Sequence, residues 1–230
     1  MVKKAVCLLS GGLDSSVTAY IAKNQGYEIY ALTMKYGQRH KREIDSAKRI
    51  AKTLNVKKHV IIDLNLRKFG GSSLTDKSID VETDHKIKNI GKKIPSTYVP
   101  ARNTIFLSLA LAYAETMDAD KIFIGATSTD YSGYPDCRPE YFKAFQNMAD
   151  IATKKSAEGK KIKIKTPLLK MSKKDIVLEG DSLHVPFEKT WSCYMGKSKA
   201  CGRCDSCLLR LKGFKEAGIR DPIYYESSSD

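Results

Sequence analysis

Short apolar runs alternate with amphipathic segments along the first half of the chain. Residues 3–9, 27–34 and 58–64 are rich in aliphatic residues and tyrosine, and each has the length of a buried strand. Residues 41–54 repeat their apolar positions at helical spacing, and the segment after Asp14 predicts another helix. Strands separated by helices require crossover connections, so this half predicts a parallel sheet covered on both faces.

The second half of the chain continues the alternation. Helices are predicted over residues 103–117 and 140–157, and strands over residues 121–125 and 161–169. In the last strand lysine alternates with isoleucine, which is typical of an edge strand whose lysines face water. The whole pattern predicts a doubly wound α/β fold, with a mainly parallel sheet and helices on both faces.

The end of the chain differs in composition from the rest. Ser172 is expected to cap a helix that reaches about Leu178. From Pro186 onward the chain is polar and rich in cysteine. We therefore expect a main domain over residues 1–185 and a small C-terminal segment over residues 186–230 that packs on the same domain.

A polar stretch over residues 70–96 interrupts the alternation of strands and helices. It contains a Gly-Gly-Ser-Ser sequence, mixed charge and few apolar residues. A loop this long inside a compact domain is usually functional or mobile, so the stretch is a candidate lid.

Composition excludes some classes of protein. Hydrophobic residues make up 42% of the 230 residues and charged residues 29%, which is enough for a packed core. The longest apolar run, residues 105–114, is too short to cross a bilayer, and the apolar run at residues 5–9 is too short for a signal peptide. We expect a cytoplasmic protein without a membrane partner.

The net charge of +14 is concentrated near the C-terminal half. Residues 154–174 contain nine lysines and one acid, Glu158. A basic face attracts phosphate, on a nucleotide or on nucleic acid. A solvated, lysine-rich surface is the alternative, and charge alone favours it.

The segment Leu-Leu-Ser-Gly-Gly-Leu-Asp-Ser-Ser-Val-Thr, residues 8–18, lies between the first strand and the first helix. Two glycines allow a tight turn whose consecutive N–H groups can bind an anion, and the helix N-terminus adds its positive dipole. Ser15 and Ser16 can add hydroxyl donors, whereas Asp14 would cap the helix or hold a cation that bridges phosphates. The lysine of a P-loop and the glycine spacing of a dinucleotide site are both absent. The sequence therefore predicts a phosphate site of a different kind.

Four of the six cysteines lie close together near the C-terminus, at Cys193, Cys201, Cys204 and Cys207. Four thiolates can enclose a tetrahedral ion and leave no open position, so we predict a structural zinc site. The same spacing also suits a 4Fe–4S cluster, which would colour the pure protein brown. Disulfides are disfavoured in a cytosolic chain.

The Ser-Gly-Gly-Leu-Asp-Ser-Ser loop resembles the pyrophosphate-binding loop of the N-type ATP pyrophosphatases. Residues 36–40, 98–110, 130–142 and 190–207 are similar to motifs of one group among them, the 7-cyano-7-deazaguanine synthases, in the same order over most of the chain. The resemblance implies an adenine nucleotide alpha hydrolase-like, Rossmann-like fold. One departure is Thr127, near which the family has an asparagine.

The resemblance also implies the reaction. A carboxylate of 7-carboxy-7-deazaguanine attacks the α-phosphorus of ATP, ammonium supplies the nitrogen that displaces AMP, and a second activation converts the amide into a nitrile. Mg²⁺ with ATP and a structural Zn²⁺ are the expected metals. The product serves queuosine or archaeosine biosynthesis, and a homodimer without an obligatory nucleic acid is expected.

Site residues are assigned by the same resemblance. Asp14, Ser15 and Lys173 are predicted to be catalytic, with Lys174 as the competing choice for Lys173. The nucleotide site is predicted to comprise Leu8, Leu9, Ser10, Gly11, Gly12, Leu13, Asp14, Ser15, Ser16, Val17, Thr18 and Met34. The substrate site is predicted to comprise Gln38, Arg39, His40, Arg102, Asn103, Asp130, Tyr134, Asp136 and Arg138.

Within the substrate site the roles stay alternatives. Asp130 or Asp136 would accept hydrogen bonds from the guanine-like edge, Tyr134 or Tyr131 would stack on the ring, and Arg138 would pair with the carboxylate. The alternative is that these segments bind no substrate and only form a helix cap and a Gly-Pro turn.

Two other functions compete with this interpretation. A tRNA-modifying thiolase would use the same loop and would need a sulfur-carrying cysteine, for which Cys137 is the candidate. An RNA-binding module without catalysis would use the zinc segment and the lysines, and would bind with a steep salt dependence.

Overall fold

The protein folds around one parallel sheet. The computed structural model describes residues 2–128 and 133–226. In this part of the chain the strands are β1 (Lys4–Leu8), β2 (Glu28–Lys35), β3 (Lys58–Asp63), β4 (Lys121–Phe123) and β5 (Lys163–Lys165). Their order in the sheet is β3-β2-β1-β4-β5, and every neighbouring pair is parallel.

Helices connect the strands and extend the fold beyond them. They are α1 (Leu13–Asn24), α2 (Arg42–Thr53), α3 (Arg102–Thr116), α4 (Pro139–Ala149), α5 (Lys154–Ala157), α6 (Lys173–Ser182) and α7 (Asp205–Ala217). Within the described residues, none of these helices combines the length and apolarity that a bilayer span requires.

Alternate residues of β1 enter two different cores. Val6 and Leu8 pack with side chains of α3 and α4 on one face of the sheet. Ala5 and Cys7 pack with side chains of α1 and α2 on the other face. A strand buried on both faces has no polar side to alternate with, which explains its continuous apolar run. The predicted doubly wound α/β fold is confirmed.

The strand order reverses at β1. The chain moves from β1 outward to β2 and β3, and then returns through α3 to place β4 on the other side of β1. In open α/β sheets of this kind, ligands bind beyond the carboxyl ends of the strands where the order reverses. This topology places a crevice directly above Leu8, the last residue of β1.

The predicted helix over residues 140–157 is wrong as a single element. The structure divides it into α4, which ends at Ala149, and α5, which begins at Lys154. Thr153 is extended and its side chain accepts a hydrogen bond from the N–H of Ser156. A threonine that caps a new helix cannot also continue the preceding one, which accounts for the break.

The helix expected after Ser172 is confirmed and is longer than predicted. Ser172 and Asp175 form a reciprocal capping box at its start. The helix continues to Ser182, beyond the expected end near Leu178, and includes Gly180. The ring of Phe187 lies so close to Gly180 that a side chain at this position of the helix would clash with it.

The lysine-rich segment is less basic than its sequence suggests. On β5, Lys163 and Lys165 are exposed and Ile164 is half-buried, as predicted for an edge strand. Lys155 is buried, with its Nζ 3.0 Å from Asp118 and 3.1 Å from Asp120. Lys154, Lys161, Lys163 and Lys173 also form ion pairs with acids of the described residues.

The stretch over residues 70–96 is held at several points. The guanidinium of Arg39 donates to the carbonyl oxygens of Ser73, Asp76 and Ile79. Farther along, the N–H of Asp84 donates to the carbonyl of Arg203 in the C-terminal segment at 2.9 Å. The stretch therefore bridges the end of β2 and the cysteine cluster, and its movement as a lid stays a prediction.

A buried arginine anchors the C-terminal segment. Arg210, on α7, forms two hydrogen bonds to Asp221, at 2.7 Å from Nε and 2.9 Å from Nη2. It also donates to the hydroxyls of Thr190 and Ser192 and to the carbonyl of Phe187. One side chain thus joins three stretches of the chain.

Loss of this ion pair is expected to destabilise the fold. Asp221→Ala leaves the charge of Arg210 buried without its partner, which costs about 3–5 kcal/mol of unfolding free energy. Asp181→Ala, at an exposed position of α6, is the control and should change stability by less than about 0.5 kcal/mol. Urea denaturation measures both, and equal values for the two variants would contradict the anchoring role.

Candidate functional site

The turn between β1 and α1 has a backbone that only glycine fits. Gly11 has a φ of +84°, and a Cβ at this position would lie 2.4 Å from the carbonyl oxygen of Glu43 and from the N–H of Ala47. The turn is therefore pressed against the start of α2. Gly12 is extended and precedes the first turn of α1. The N–H groups at the start of that turn have no acceptor within their own helix, which leaves them available to bind an anion.

Hydroxyl groups fix the shape of this turn. Ser15 Oγ lies 2.9 Å from Ser10 Oγ and accepts from the N–H of Ser10 at 3.2 Å. Ser16 Oγ donates to the carbonyl of Gly12 at 2.8 Å. Val17 packs into the core, and the hydroxyl of Thr18 is buried without a partner among the described residues. Ser10 and Ser15 thus face the crevice, whereas Ser16, Val17 and Thr18 stabilise the turn from its buried side.

Asp14 does not cap α1. Its carboxylate receives two hydrogen bonds from the ammonium of Lys173, at 2.8 Å to Oδ1 and 2.6 Å to Oδ2. Lys173 is the first residue of α6 and is buried, whereas Lys174 is exposed. Of the two competing lysines, only Lys173 reaches the turn.

These groups line a cavity of about 250 Å³ at the carboxyl ends of β1, β2 and β4. The predicted site residues in its wall are Leu8, Leu9, Ser10, Gly12, Leu13, Asp14, Ser15, Met34, Gln38, Arg102, Asn103, Tyr134 and Lys173. The unpredicted wall residues with polar or aromatic groups are Tyr36, Glu43, Phe106, Thr127, Trp191, Ser192, Tyr194, Ser206 and Arg210. Residues from both sides of the predicted boundary at Pro186 therefore line one cavity.

The side chain of Gln38 forms hydrogen bonds that hold the backbone at the end of β2. Its side-chain oxygen accepts from the N–H of Tyr36 at 2.9 Å, and its side-chain nitrogen donates to the carbonyl of Met34 at 3.4 Å. Leu32 is the last residue of β2 that pairs with β1. Met34 therefore extends beyond β1 and lines the cavity.

Three tyrosines from separate segments surround Arg102. The guanidinium carbon lies 5.7 Å from the ring centre of Tyr36, and Nη1 lies 3.5 Å from its hydroxyl. Tyr134 and Tyr194 also line the cavity, and both interact electrostatically with the guanidinium. Among the described residues, no carboxylate lies within 4.0 Å of this guanidinium, so Arg102 lines the cavity without an ion-pair partner.

Asn103 ties the start of α3 to the loop before α4. Its N–H donates to Asp136 Oδ2 at 3.0 Å, and its side-chain nitrogen donates to the carbonyl of Asp136 at 3.0 Å. The same nitrogen lies 3.3 Å from Cys137 Sγ. Burial raises the pKa of the Cys137 thiol to about 11, so this cysteine is a thiol and not a thiolate near neutral pH.

Several predicted site residues do not line the cavity. Arg39 binds the stretch over residues 70–96, and Asp136 caps α3. Arg138 is exposed at the start of α4. Asp130, with its alternative Tyr131, lies outside the described residues. Their predicted roles in substrate binding stay predictions.

His40 contacts the cysteine segment instead of the cavity. Its Nε2 lies 3.0 Å from the carbonyl oxygen of Cys193. Gly196 passes so close that a Cβ there would lie 2.3 Å from the imidazole, and its φ of +69° also requires glycine. Burial lowers the pKa of His40, so the ring is neutral at physiological pH and donates from Nε2.

The four cysteines of the C-terminal segment converge. Their sulfur atoms all lie within 4.8 Å of one another, and Cys201 Sγ and Cys207 Sγ are 3.9 Å apart. Sulfurs bound to zinc at about 2.3 Å in a tetrahedron lie about 3.8 Å apart. Backbone N–H groups of Met195, Cys201, Arg203 and Cys204 point at these sulfurs at 3.3–3.4 Å. The residues therefore fit a tetrahedral, thiolate-bound ion.

Trp191 connects the cysteine segment to the turn after β1. Its N–H donates to the carbonyl of Gly11 at 2.9 Å, and its indole Nε1 donates to the carbonyl of Cys193 at 2.9 Å. The guanidinium of Arg42 stacks over its ring at 4.6 Å. The Thr-Trp-Ser-Cys-Tyr motif marked this segment in the sequence, but only the fold shows that its tryptophan holds the glycine turn.

Comparisons with known proteins agree on one family. The family model described as queuosine biosynthesis protein QueC matches residues 4–218. A 7-cyano-7-deazaguanine synthase of Trichodesmium erythraeum is 54% identical over 220 residues, which cover 96% of this chain and 99% of the relative. One of Picrophilus torridus is 56% identical over 225 residues, which cover 97% and 92%.

Solved structures are more distant. An NMN synthetase of Francisella tularensis is 20% identical, covers 80% of this chain and 63% of its own, and superposes with a TM-score of 0.47. A structural similarity at this level does not support a conclusion about function.

Proposed function

The chain belongs to the QueC family of queuosine biosynthesis proteins, and from this membership we propose that its cavity makes 7-cyano-7-deazaguanine from 7-carboxy-7-deazaguanine, ammonium and ATP. One observation of the structure supports the proposal independently of family membership. The glycine turn, the Asp14–Lys173 pair and the charge of Arg102 all line the same cavity. An ATP-dependent ligase needs this combination, because phosphate and a carboxylate must meet in one place.

ATP is proposed to lie along the carboxyl edge of the sheet. Its phosphates rest on the N–H groups and hydroxyls of the turn at Ser10, Gly12 and Ser15, where the dipole of α1 favours negative charge. Lys173 approaches the phosphates from α6 and stabilises the charge that develops when pyrophosphate leaves. The backbone near Met34, beyond the end of β1, is the proposed contact for adenine.

The Asp14 carboxylate faces the same phosphates. A carboxylate beside a phosphate loop fits Mg²⁺, which prefers one or two carboxylates together with phosphate oxygens. When bound, the ion would neutralise phosphate charge. The hydrogen bonds from Lys173 hold Asp14 in place at the turn.

The substrate carboxylate is assigned to Arg102. Arg138, the residue proposed from the sequence, is exposed and lies outside the cavity wall, whereas Arg102 lies inside it. A guanidinium binds a carboxylate with two parallel hydrogen bonds. Tyr134 is buried in the same wall, and we propose that it stacks against the deazaguanine ring.

The chemistry consists of two activations by ATP. A carboxylate oxygen attacks the α-phosphorus, and pyrophosphate leaves with the bonding electrons. Ammonia then attacks the acyl carbon, AMP leaves, and an amide forms after loss of a proton. In the second round the amide oxygen takes an adenylyl group, and loss of AMP and of the two amide protons leaves the nitrile. Both rounds use the same phosphate contacts.

Zinc is the metal proposed for Cys193, Cys201, Cys204 and Cys207. Their sulfur separations fit the tetrahedral geometry, and four protein ligands leave no position for a substrate. The ion would stabilise the C-terminal segment and take no part in the reaction. A visible absorbance of the anaerobic protein would point to a 4Fe–4S cluster instead.

The two competing functions have less support. A sulfur-transfer reaction needs a thiolate, but the Cys137 thiol is buried and its pKa is raised to about 11. An RNA-binding surface needs free positive charge, but five of the nine lysines in residues 154–174 form ion pairs with acids.

The proposal is tested by product analysis. The protein is incubated with 7-carboxy-7-deazaguanine, ammonium and Mg-ATP, and the products are analysed by mass spectrometry. We expect a nitrile and two AMP molecules for each nitrile, and no amide or nitrile when ammonium is omitted. Absence of the nitrile would overturn the proposal. Light scattering tests the homodimer that belongs to the same proposal.

The glycine turn provides a second prediction. Gly11→Ala forces a side chain into the backbone of α2, so we expect ATP affinity to fall by at least about tenfold. Gly26→Ala is the matched control, because Gly26 also has a positive φ, of +80°, but has open space around it. It should lower stability by about 1 kcal/mol and leave ATP affinity unchanged. Equal ATP affinities of the two variants, measured by calorimetry, would exclude the turn from the nucleotide site.

A further inference from the structure

Glu43, in the first turn of α2, adds a carboxyl group to the cavity wall. The residue is half-buried. Within residues 2–128 and 133–226, its carboxylate makes no hydrogen bond and no ion pair within 4.0 Å. A carboxylate taken out of water without a partner is costly, so a cation that enters the cavity beside Glu43 would stabilise its ionised form.

Other groups of the cavity wall interact electrostatically with this carboxyl group. Burial raises the pKa of Glu43 to about 7, and the charge of Arg102 opposes the increase. The pKa of Tyr36 is raised by burial and further by Glu43. Tyr36 and Arg102 both line the cavity, and their side chains lie 3.5 Å apart. The field of Glu43 therefore acts on the same space as that of Arg102.

We propose that Glu43 binds the ammonium ion that supplies the nitrogen, and that it lies opposite Arg102, which binds the substrate carboxylate. The inference rests on the proposed function. The two side chains have opposite charges and do not pair with each other within 4.0 Å. A cavity with separated opposite charges can hold a cationic and an anionic reactant side by side, with each charge compensated by its own partner.

The proton balance gives Glu43 a second role. Ammonium has no lone pair, so an N–H bond must break before the nitrogen can attack. The carboxylate of Glu43 accepts that proton, and the freed lone pair forms the C–N bond to the acyl carbon while the carbonyl electrons move to oxygen, which gives a tetrahedral intermediate. The nitrogen then releases a second proton to solvent. The intermediate collapses to the amide as the C–O bond to AMP breaks and AMP leaves with the bonding electrons. Adenylation of the carboxylate precedes these steps and does not require Glu43.

A helix-capping role for Glu43 is the ordinary alternative. Acidic residues in the first turn of a helix interact with its dipole, and both Glu43 and Asp45 occupy that turn of α2. Asp45 is exposed and outside the cavity wall. The pair therefore separates the two roles, because a dipole effect would be shared by both residues and ammonium binding would belong to Glu43 alone.

The test uses Glu43→Gln, with Asp45→Asn as the control. We expect Glu43→Gln to raise the KM for ammonium by about tenfold or more, while Asp45→Asn leaves it within about twofold. Exchange of labelled pyrophosphate into ATP, dependent on 7-carboxy-7-deazaguanine, reports adenylation alone. It should stay within about threefold of the wild type in both variants.

A neutral nucleophile provides the second measurement. Hydroxylamine is uncharged near neutral pH and already carries a free lone pair, so it needs neither a cation site nor a base. We expect wild-type protein and Glu43→Gln to form the hydroxamate at rates within about threefold of each other. An equal loss with ammonium and with hydroxylamine would overturn the proposal.

Other outcomes have distinct meanings. An unchanged ammonium KM in Glu43→Gln, or a raised KM for 7-carboxy-7-deazaguanine instead, would assign Glu43 to another role and overturn the inference. Absence of substrate-dependent pyrophosphate exchange in the wild type would overturn the proposed function itself. Loss of exchange in Glu43→Gln alone would show that the residue serves adenylation, which also contradicts the inference.

Discussion

Lys173→Ala is expected to lower the rate of AMP formation by about a hundredfold to a thousandfold. Lys173 is buried, is hydrogen-bonded to Asp14 and lines the cavity beside the glycine turn. A fixed positive charge at this point stabilises the pyrophosphate as it leaves. The rate is measured as AMP released at saturating substrate concentrations.

Lys174→Ala is the matched control for this prediction. Lys174 is the next residue of the same helix and is exposed, outside the cavity wall. Removal of a solvated lysine should change the rate by less than about twofold. Thermal denaturation of both variants checks that the fold survives. Similar rates for the two variants would remove Lys173 from the reaction.

Removal of the metal from the C-terminal segment is expected to disturb the nucleotide site as well as the fold. The Trp191 N–H holds the carbonyl of Gly11, and its indole holds the carbonyl of Cys193. Loss of the ion lets the cysteines separate and releases Trp191. Zinc binding contributes on the order of 10 kcal/mol to folding in small domains. A loss of half that amount lowers the Tm by about 10–20 °C in a chain of this size.

Tryptophan fluorescence provides the measurement. Trp191 is the only tryptophan of the chain, so its emission reports both the cysteine segment and the cavity. We expect Cys207→Ser, or treatment with a chelator, to shift this emission and to raise the Kd for ATP at least about tenfold. Cys7→Ser is the control, because Cys7 lies in β1 and is not one of the clustered cysteines. A metal-free protein with unchanged ATP affinity would contradict the link through Trp191.

Much of the scaffold was predictable from local pattern. The apolar run of β1 and the helical spacing of α2 identified a doubly wound sheet, because burial on both faces of a parallel strand leaves a continuous apolar segment. The glycine turn was found for a similar reason, since its residues are contiguous and its chemistry is local. The break between α4 and α5 was missed because a single capping threonine, Thr153, interrupts an otherwise helical pattern.

The composition of the cavity was harder to predict. Tyr36, Glu43 and Trp191 come from three separate segments and meet only after the sheet has formed. Arg39 and His40 belong to a motif that resembles the family's, yet both support neighbouring segments instead of lining the cavity. Local sequence identifies a motif, but which of its side chains face the ligand depends on packing between distant parts of the chain.

The central claim is that ATP lies at the carboxyl end of β1 with its phosphates on the glycine turn and its α-phosphorus facing Arg102. A crystal structure of the protein with a non-hydrolysable ATP analogue and 7-carboxy-7-deazaguanine tests this claim most directly. The account predicts phosphate oxygens within hydrogen-bond distance of the turn N–H groups and of Lys173, and the substrate carboxylate on Arg102. A nucleotide bound elsewhere, with the turn free of phosphate, would contradict it.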